Sequence, residues 1–205
     1  MLENSDIDKL KQILSNNNQI KGIVFDDLGL IEVLKDINIE KILLLNHLAT
    51  NYESINYYLD YVDSVVVSID ITELEIKEIL KNAKKKLVLN VFGLNNLMYS
   101  KRKLLSNYQK HYNLDNNNEI DAHINDYYFH IFENEWGTTF YSKKYYNATK
   151  LIGLENVLYY WYNPVFLDCE KIKNVVLNND LSGIDYDDGF LNKKTIYKLE
   201  VGDKS

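Results

Sequence analysis

Short apolar runs recur along the first half of the chain, and each is followed by a stretch with apolar residues at helical spacing. The runs are 22–25, 41–45, 64–67 and 87–92, and their starts lie about 20 residues apart, the length of a compact βα unit. Because the runs are continuously apolar, they predict parallel strands that are buried on both faces. The pattern therefore predicts an α/β fold with a parallel sheet, as in a partial (βα) TIM-barrel-like fold or a doubly wound sheet.

Amphipathic helices are predicted before and between these strands. The first is expected over 6–14, and the next two are centred on 28–34 and 55–62. Thr72 and Glu75 have the spacing of a capping box, which predicts that a helix begins there. This regular alternation supports right-handed crossovers that place the helices outside the sheet.

The pattern changes after Tyr108. The polar stretch 111–126 predicts an exposed loop, and 127–132 with 138–142 predicts an antiparallel hairpin around Gly137. A further strand over 157–162, a helix over 167–177 and a final strand over 195–199 complete the pattern. We interpret 1–205 as a single domain, with an N-terminal helix in 1–20, βα repeats in 21–108, and the hairpin, last βα unit and tail in 109–205.

Composition narrows the class of protein. Hydrophobic residues make up 46% and charged residues 26% of the chain, which is typical of a globular protein and argues against wholesale disorder. The net charge of −7 argues against free-standing nucleic-acid binding. Cations nevertheless cluster in 84–86, 101–103 and at Lys110. This cluster is either a solvated face or a phosphate-binding face.

Cysteine content and hydropathy bear on cofactors and location. The single cysteine, Cys169, excludes an internal disulfide and any cysteine-ligated cluster built by this chain alone. The chain has no leader-like N-terminal segment and no apolar run long enough to span a bilayer. We therefore expect a soluble, cytoplasmic protein that does not bind membranes.

Polar residues follow several of the predicted strands. In a parallel barrel the carboxyl ends of the strands meet on the ligand-binding face. Asp26, His47 and Asp70 lie at such ends and are the candidate catalytic residues, either sharing a divalent metal or acting as acid and base. The alternative is that Asp26 or Asp27, and Asp70, cap the helices that follow them.

A second candidate site follows the strand at 87–92. It combines aromatic, cationic and amide side chains, a composition that suits stacking on unpaired bases and neutralisation of phosphates. The candidate binding residues are Asn90, Tyr99, Lys101, Arg102, Lys103 and Tyr108. In the alternative, Tyr99 and Tyr108 pack a basic helix onto the sheet while its cations face water.

The segment 97–108, with the sequence LMYSKRKLLSNY, resembles the motif that follows a barrel strand in the collagenase-like peptidase family U-32. Further stretches resemble blocks of that family in the same order. They are 24–30, 66–76, 133–138 (ENEWGT) and 188–198. The resemblance implies a (βα) barrel, of which this chain would be the part from about the third strand onward.

Departures from the family pattern bear on chemistry. The well-known branches carry an iron–sulfur cysteine where this chain has Lys103, and an Arg-Glu pair where it has Ile69 and Asp70. We therefore expect no iron–sulfur cluster.

The resemblance leads to two functional hypotheses. Some relatives take part in hydroxylation of RNA bases, so this chain is first interpreted as a substrate-binding or partner subunit related to tRNA or rRNA hydroxylation proteins. The alternative is a collagenase-like peptidase that uses the Asp/His site, with or without a metal. Because a partial barrel exposes strand edges, we expect a homodimer or docking on a longer family relative.

Overall fold

The computed structural model of this chain describes residues 4–125 and 127–193, which form two compact units. Among the described residues, the first unit comprises 4–90, 151–161 and 189–193. The second comprises 91–150 and 162–188. The predicted final strand at 195–199 lies outside the described residues.

The first unit is built on parallel strands. Its strands are β1 (Gly22–Phe25), β2 (Glu40–Leu44), β3 (Ser64–Val67) and the first residues of β4 (Leu87–Ser100). They pair in that order, and every one of these pairings is parallel. The predicted α/β class, with a partial TIM-barrel-like parallel sheet, is confirmed.

Helices alternate with these strands, as the apolar spacing predicts. They are α1 (Asn4–Asn16), α2 (Gly29–Leu34), α3 (Tyr52–Tyr58) and α4 (Glu73–Asn82). The capping box of α4 is confirmed, because Glu75 N donates to Thr72 Oγ1 at 3.3 Å and Thr72 N donates to Glu75 Oε2 at 2.8 Å. Over residues 4–125 and 127–193, every helix is too short or too polar to cross a membrane.

Both faces of the parallel sheet are buried in the first unit. Leu43 and Val65 are fully buried, as are helix residues such as Ile55. The neighbouring strand positions point to the opposite face, because side chains alternate along a strand. Those positions form a second buried cluster of Ile42, Val66 and Val88, against which Leu44 and Trp161 pack. Burial on two faces explains why these strands are apolar without interruption.

The second unit is mainly antiparallel. The remainder of β4 pairs with β7 (Gly137–Asn147), β7 with β6 (Tyr127–Asn134), and β6 with β5 (Glu119–Ile124), all antiparallel. The short strand β9 (Tyr186–Asp187) pairs with β7 in parallel, and β8 (Val157–Asn163) pairs with β4. The helices of this unit are α5 (Leu104–Tyr112) and α6 (Cys169–Asn178). The predicted hairpin is confirmed, with longer strands than the pattern indicated.

The strand predicted over 87–92 is too short, because β4 continues to Ser100 and α5 begins only at Leu104. Gly93 does not end the strand. A methyl group on Gly93, whose φ is +148°, would lie 2.3 Å from the carbonyl oxygen of Asn163. The glycine therefore permits a close approach of two backbones inside a sheet.

The predicted loop over 111–126 is also wrong in part. Its first residues end α5, and 119–124 form β5, which pairs in register with β6 from Glu119↔Phe132 to Ile124↔Tyr127. The polar composition concealed this strand, because β5 lies at the end of the strand order and most of its described side chains are exposed or partly exposed.

Candidate functional site

Helix α5 begins without a capping residue of its own. Lys103 occupies the N-cap position, and its side chain makes no capping hydrogen bond. The first N–H groups of any helix have no acceptor within the helix and need one from elsewhere. The start of α5 therefore depends on acceptors supplied by another element.

The β6–β7 hairpin supplies those acceptors. Glu133 Oε2 accepts from Leu105 N at 2.9 Å, and Oε1 accepts from Ser106 N at 3.2 Å. Thr138 Oγ1 accepts from Leu104 N at 2.9 Å and lies 2.6 Å from Glu133 Oε2. A carboxylate at a helix N-terminus is also favoured by the helix dipole.

Glu133 is 5% exposed, so its ionisation depends on these contacts. Burial raises the pKa of Glu133. The hydrogen bonds from the Ser106 and Thr138 side chains and from the N–H groups of Leu105 and Ser106 together lower this pKa by more than burial raises it. The net result is a pKa below the ordinary value of 4.5. Glu133 is therefore a buried carboxylate that stays ionised at neutral pH.

The hairpin also holds the segment that precedes α5. Tyr99 donates from its hydroxyl to the carbonyl of Trp136 at 2.7 Å, and Lys103 Nζ donates to the carbonyl of Asn134. A methyl group on Gly137, whose φ is +144°, would lie 2.1 Å from Ser100 O. The stretches 97–108 and 133–138, separated in sequence, thus form one structural unit, which we call the basic-segment site.

Cations and aromatic rings are exposed on the basic-segment site. Lys101 and Arg102 are exposed at the turn between β4 and α5. Tyr99 is 48% exposed, Tyr108 53% and Trp136 68%, so none of these rings is part of the core. Lys103 is partly buried, and its ammonium group binds the hairpin backbone. The arrangement can place cations and flat apolar surfaces against an extended polyanion.

Asn90 belongs to the first unit, whereas the other predicted binding residues belong to the second. Its side chain is partly buried, and Oδ1 is buried without a hydrogen-bond partner among the described residues. Sequence reasoning singled out neither Glu133 nor Trp136 as a site residue. Both residues lie in the ENEWGT stretch, whose resemblance to a family block could have indicated that they belong to the site.

His47 and Asp70 lie next to each other in the first unit, at the carboxyl ends of β2 and β3. His47 lies in a short 3₁₀ turn (Asn46–Leu48), and its Nδ1 is hydrogen-bonded to Asp70 Oδ2. Ser68 N donates to the carbonyl of Ala49 at 3.0 Å, which ties the two loops together. A carboxylate on Nδ1 orients the ring and leaves Nε2 as the nitrogen able to accept a proton.

The capping alternative applies to only one of the aspartates. Asp27 Oδ1 accepts from Gly29 N at 3.0 Å, at the start of α2. For Asp70 the capping hypothesis is wrong, because Thr72 caps α4 and Asp70 binds His47 instead.

Asp26 is exposed, and no hydrogen bond or ion pair joins it to His47 or Asp70 in the described part of the chain. Across residues 4–125 and 127–193, no three or more His, Cys, Asp and Glu side chains are grouped so that they could hold a metal ion. His47 and Asp70 form a hydrogen-bonded pair of a kind that can carry out acid–base chemistry.

Comparison with known proteins confirms the resemblance found in the sequence. A family model described as Peptidase family U32 matches residues 1–146, which is more than half of the chain and includes both stretches of the basic-segment site. A search of the curated proteins found no match, and a search of the solved structures also found none. The stretch 188–198, which resembles the closing block of that family, lies beyond the matched range.

We predict that Glu133→Gln destabilises the protein at neutral pH by about 1–3 kcal/mol, because the amide keeps only one acceptor oxygen and places an NH2 donor where the other oxygen accepts. Since the folded pKa is lowered, the stability that Glu133 contributes is present above its unfolded value of about 4.5 and is lost as the pH falls through the folded pKa. Urea unfolding at a series of pH values should therefore show a flatter acid limb in the variant.

Glu135→Gln is the matched control, because it makes the same charge change on the exposed turn of the same hairpin. It should leave both the stability and its pH dependence nearly unchanged. Equal unfolding curves for wild type and Glu133→Gln would show that the carboxylate does not hold the start of α5.

Proposed function

The chain belongs to peptidase family U32, and from that premise we propose that it is a substrate-binding or partner subunit that holds single-stranded RNA at the basic-segment site. Some proteins of the family take part in hydroxylation of RNA bases, and we propose that this chain assists such a reaction by binding the RNA. The observation that carries it is that Lys101 and Arg102 are exposed on the same structural unit as the exposed rings of Tyr99, Tyr108 and Trp136.

The chemistry of the site favours RNA over a folded protein surface as the ligand. Aromatic side chains stack on unpaired bases whatever the sequence, and nearby cations neutralise the phosphates. Tyr99 is fixed by the hydrogen bond to Trp136 and Tyr108 lies 4.8 Å from Tyr112 between ring centroids, so binding would order few new side chains. Because the protein has a net charge of −7, it does not attract RNA as a whole, and binding depends on where its cations are placed.

The position of Lys103 fits a binding role without a cluster. Well-known branches of the family carry an iron–sulfur cysteine at this position. This chain has Lys103 there, and its ammonium group is hydrogen-bonded to Asn134 O in the hairpin. The residue thereby helps to hold the site together, and the phosphate contacts are left to Lys101 and Arg102.

The same proposal includes a partner, either a second copy of this chain or a longer family relative. In the first unit, β1 lies at the end of the parallel strand order, and Val24 on this strand is 38% exposed. Edge strands of this kind are commonly covered by another chain. The mass of the purified protein in solution, compared with 24.1 kDa for one chain, checks this part of the proposal.

We predict that the double substitution Lys101→Ala with Arg102→Ala weakens binding to single-stranded RNA and makes it less sensitive to salt. Each lost phosphate contact should reduce the slope of log K against log salt by about 0.7. Fluorescence anisotropy with labelled RNA at several salt concentrations measures both quantities.

Lys9→Ala with Lys11→Ala removes the same charge from exposed positions on α1 and serves as the control. If both double variants lose affinity equally, the effect is one of net charge and the basic-segment site is not the RNA site. Absence of RNA binding by the wild-type protein would overturn the proposal altogether.

The contact between His47 and Asp70 favours one alternative, a peptidase of the kind for which the family is named. In that case His47 Nε2 would act as the general base that activates water, while Asp70 orients the ring. This candidate ranks second because the hydroxyl nearest the pair, Ser68 Oγ, contacts Asp70, and no hydrogen bond joins it to His47 among the described residues.

For this alternative we predict that His47→Asn and Asp70→Asn each lower hydrolysis of gelatin or a quenched peptide by about 100-fold or more, the usual contribution of a general base. His123→Asn makes the same change at an exposed histidine of the second unit and should have no effect. Activity that survives both site substitutions would belong to a contaminant.

A further inference from the structure

An open polar cleft of about 480 Å³ lies in the second unit. It is lined by Asn147, Thr149, Asn179, Leu181, Ser182 and Tyr186. Its volume falls within the range of small-molecule sites, roughly 300–1,000 Å³. The lining is dominated by side-chain amides and hydroxyls, with one aromatic ring.

The backbone fixes the positions of these side chains. Asn147 ends β7, and Tyr186 lies on β9, which is in register with β7 at Tyr145↔Tyr186. Asn179 is the C-cap residue of α6 with φ of +52°, a conformation that asparagine tolerates. The end of a strand, a paired strand and a capped helix end therefore form the walls.

Asn147 presents a defined hydrogen-bonding group to the cleft. Its Oδ1 accepts from Thr149 N at 3.1 Å and from Thr149 Oγ1 at 2.8 Å. These two bonds occupy the oxygen and set the orientation of the amide, so that the Nδ2 donors remain for a ligand. Thr149 Oγ1 keeps acceptor capacity, because its proton is directed to Asn147.

The lining of the cleft favours a neutral ligand over an anion. None of the six lining residues is a lysine or an arginine. Asp180 Oδ1 accepts from Ser182 N at 2.9 Å, and hydrogen bonds from the Ser182 side chain and backbone lower the pKa of Asp180. A phosphate would meet a carboxylate beside the cleft and no cation in its lining, whereas a neutral group with both donors and acceptors would be well matched.

We propose that this cleft receives one unpaired base of the RNA that the basic-segment site holds by its phosphates. The inference rests on the proposed function and adds a second subsite, at which one base of that RNA is bound. Tyr186, which is 45% exposed, provides a stacking face, and the Asn147 amide with the hydroxyls provides groups for the base edge.

The spacing along β7 is compatible with one continuous strand of RNA. Thr138, at the basic-segment site, and Asn147, at the cleft, are both on β7. At the usual rise of a strand they lie roughly 30 Å apart. An oligonucleotide of about 16 nucleotides, the upper size of common single-strand sites, is long enough to reach both.

The test uses single-stranded RNA of that length with 5-bromouridine scanned through it, irradiated in complex with the wild-type protein. Crosslinked peptides are then identified by mass spectrometry. We expect a crosslink to the peptide that contains Tyr186. In a separate titration, Tyr186→Ala should weaken RNA binding by about 5- to 150-fold, the usual effect of removing one base-stacking ring.

Tyr186→Phe should keep nearly wild-type affinity, because stacking needs the ring and not the hydroxyl. Tyr159→Ala is the matched control, since Tyr159 is 48% exposed and lies in the first unit. Circular dichroism and thermal melting verify that each variant is folded.

The outcomes separate the two proposals. RNA binding that depends on Lys101 and Arg102 but not on Tyr186, with no crosslink there, would overturn the cleft inference and leave the proposed function standing. RNA binding that depends on none of these residues would overturn both.

Discussion

The buried carboxylate of Glu133 is the constraint on which the candidate RNA site depends. It accepts hydrogen bonds from Leu105 N and Ser106 N, so the hairpin supplies the cap that Lys103 cannot. Without these acceptors the first turn of α5 would have unsatisfied N–H donors, each of which costs about 1–3 kcal/mol when buried. The same contact decides where the turn with Lys101 and Arg102 is placed.

This constraint explains why two motifs of the family occur together. The 97–108 stretch provides a helix that lacks its own cap, and the 133–138 stretch provides the carboxylate, the Thr138 hydroxyl and the glycine that lets the strands approach. Either stretch without the other would leave buried polar groups unpaired. In this chain the two stretches therefore first stabilise the fold, and the exposed Lys101 and Arg102 lie on the turn that they hold.

The two units carry different chemistry. The first unit has His47 held by Asp70 at the ends of parallel strands, which is where ligands bind in βα folds. The second unit has exposed aromatic rings, the exposed cations Lys101 and Arg102 at the start of α5, and a neutral polar cleft. RNA binding would need only the rings, cations and cleft of the second unit, whereas hydrolysis would need a reacting group beside His47 and Asp70 in the first unit. We therefore favour binding over hydrolysis.

Sequence reasoning succeeded where a single physical signal dominates. Strands β1 to β3 followed from uninterrupted apolar runs, and the start of α4 followed from the Thr72–Glu75 capping box. It placed the end of β4 too early, near Gly93. Glycine occurs both where a strand ends and where two backbones approach closely, and only the tertiary structure shows which applies.

The candidate sites were predictable to different degrees. The cationic residues were visible as a cluster, but the cap that holds them comes from a residue 28 positions from Leu105. The pairing of His47 with Asp70, 23 positions apart, likewise depends on the parallel register of β2 and β3. Local patterns identify residue types, whereas these contacts are created by the strand order.

RNA affinity of Glu133→Gln, measured beside Glu135→Gln at neutral pH, tests the central claim most directly. Both substitutions remove one negative charge, which by electrostatics alone should strengthen RNA binding. If Glu133 positions the basic-segment site, its substitution should instead weaken binding, while Glu135→Gln leaves it unchanged or slightly stronger. Equal or tighter binding by the folded Glu133→Gln variant would contradict the account.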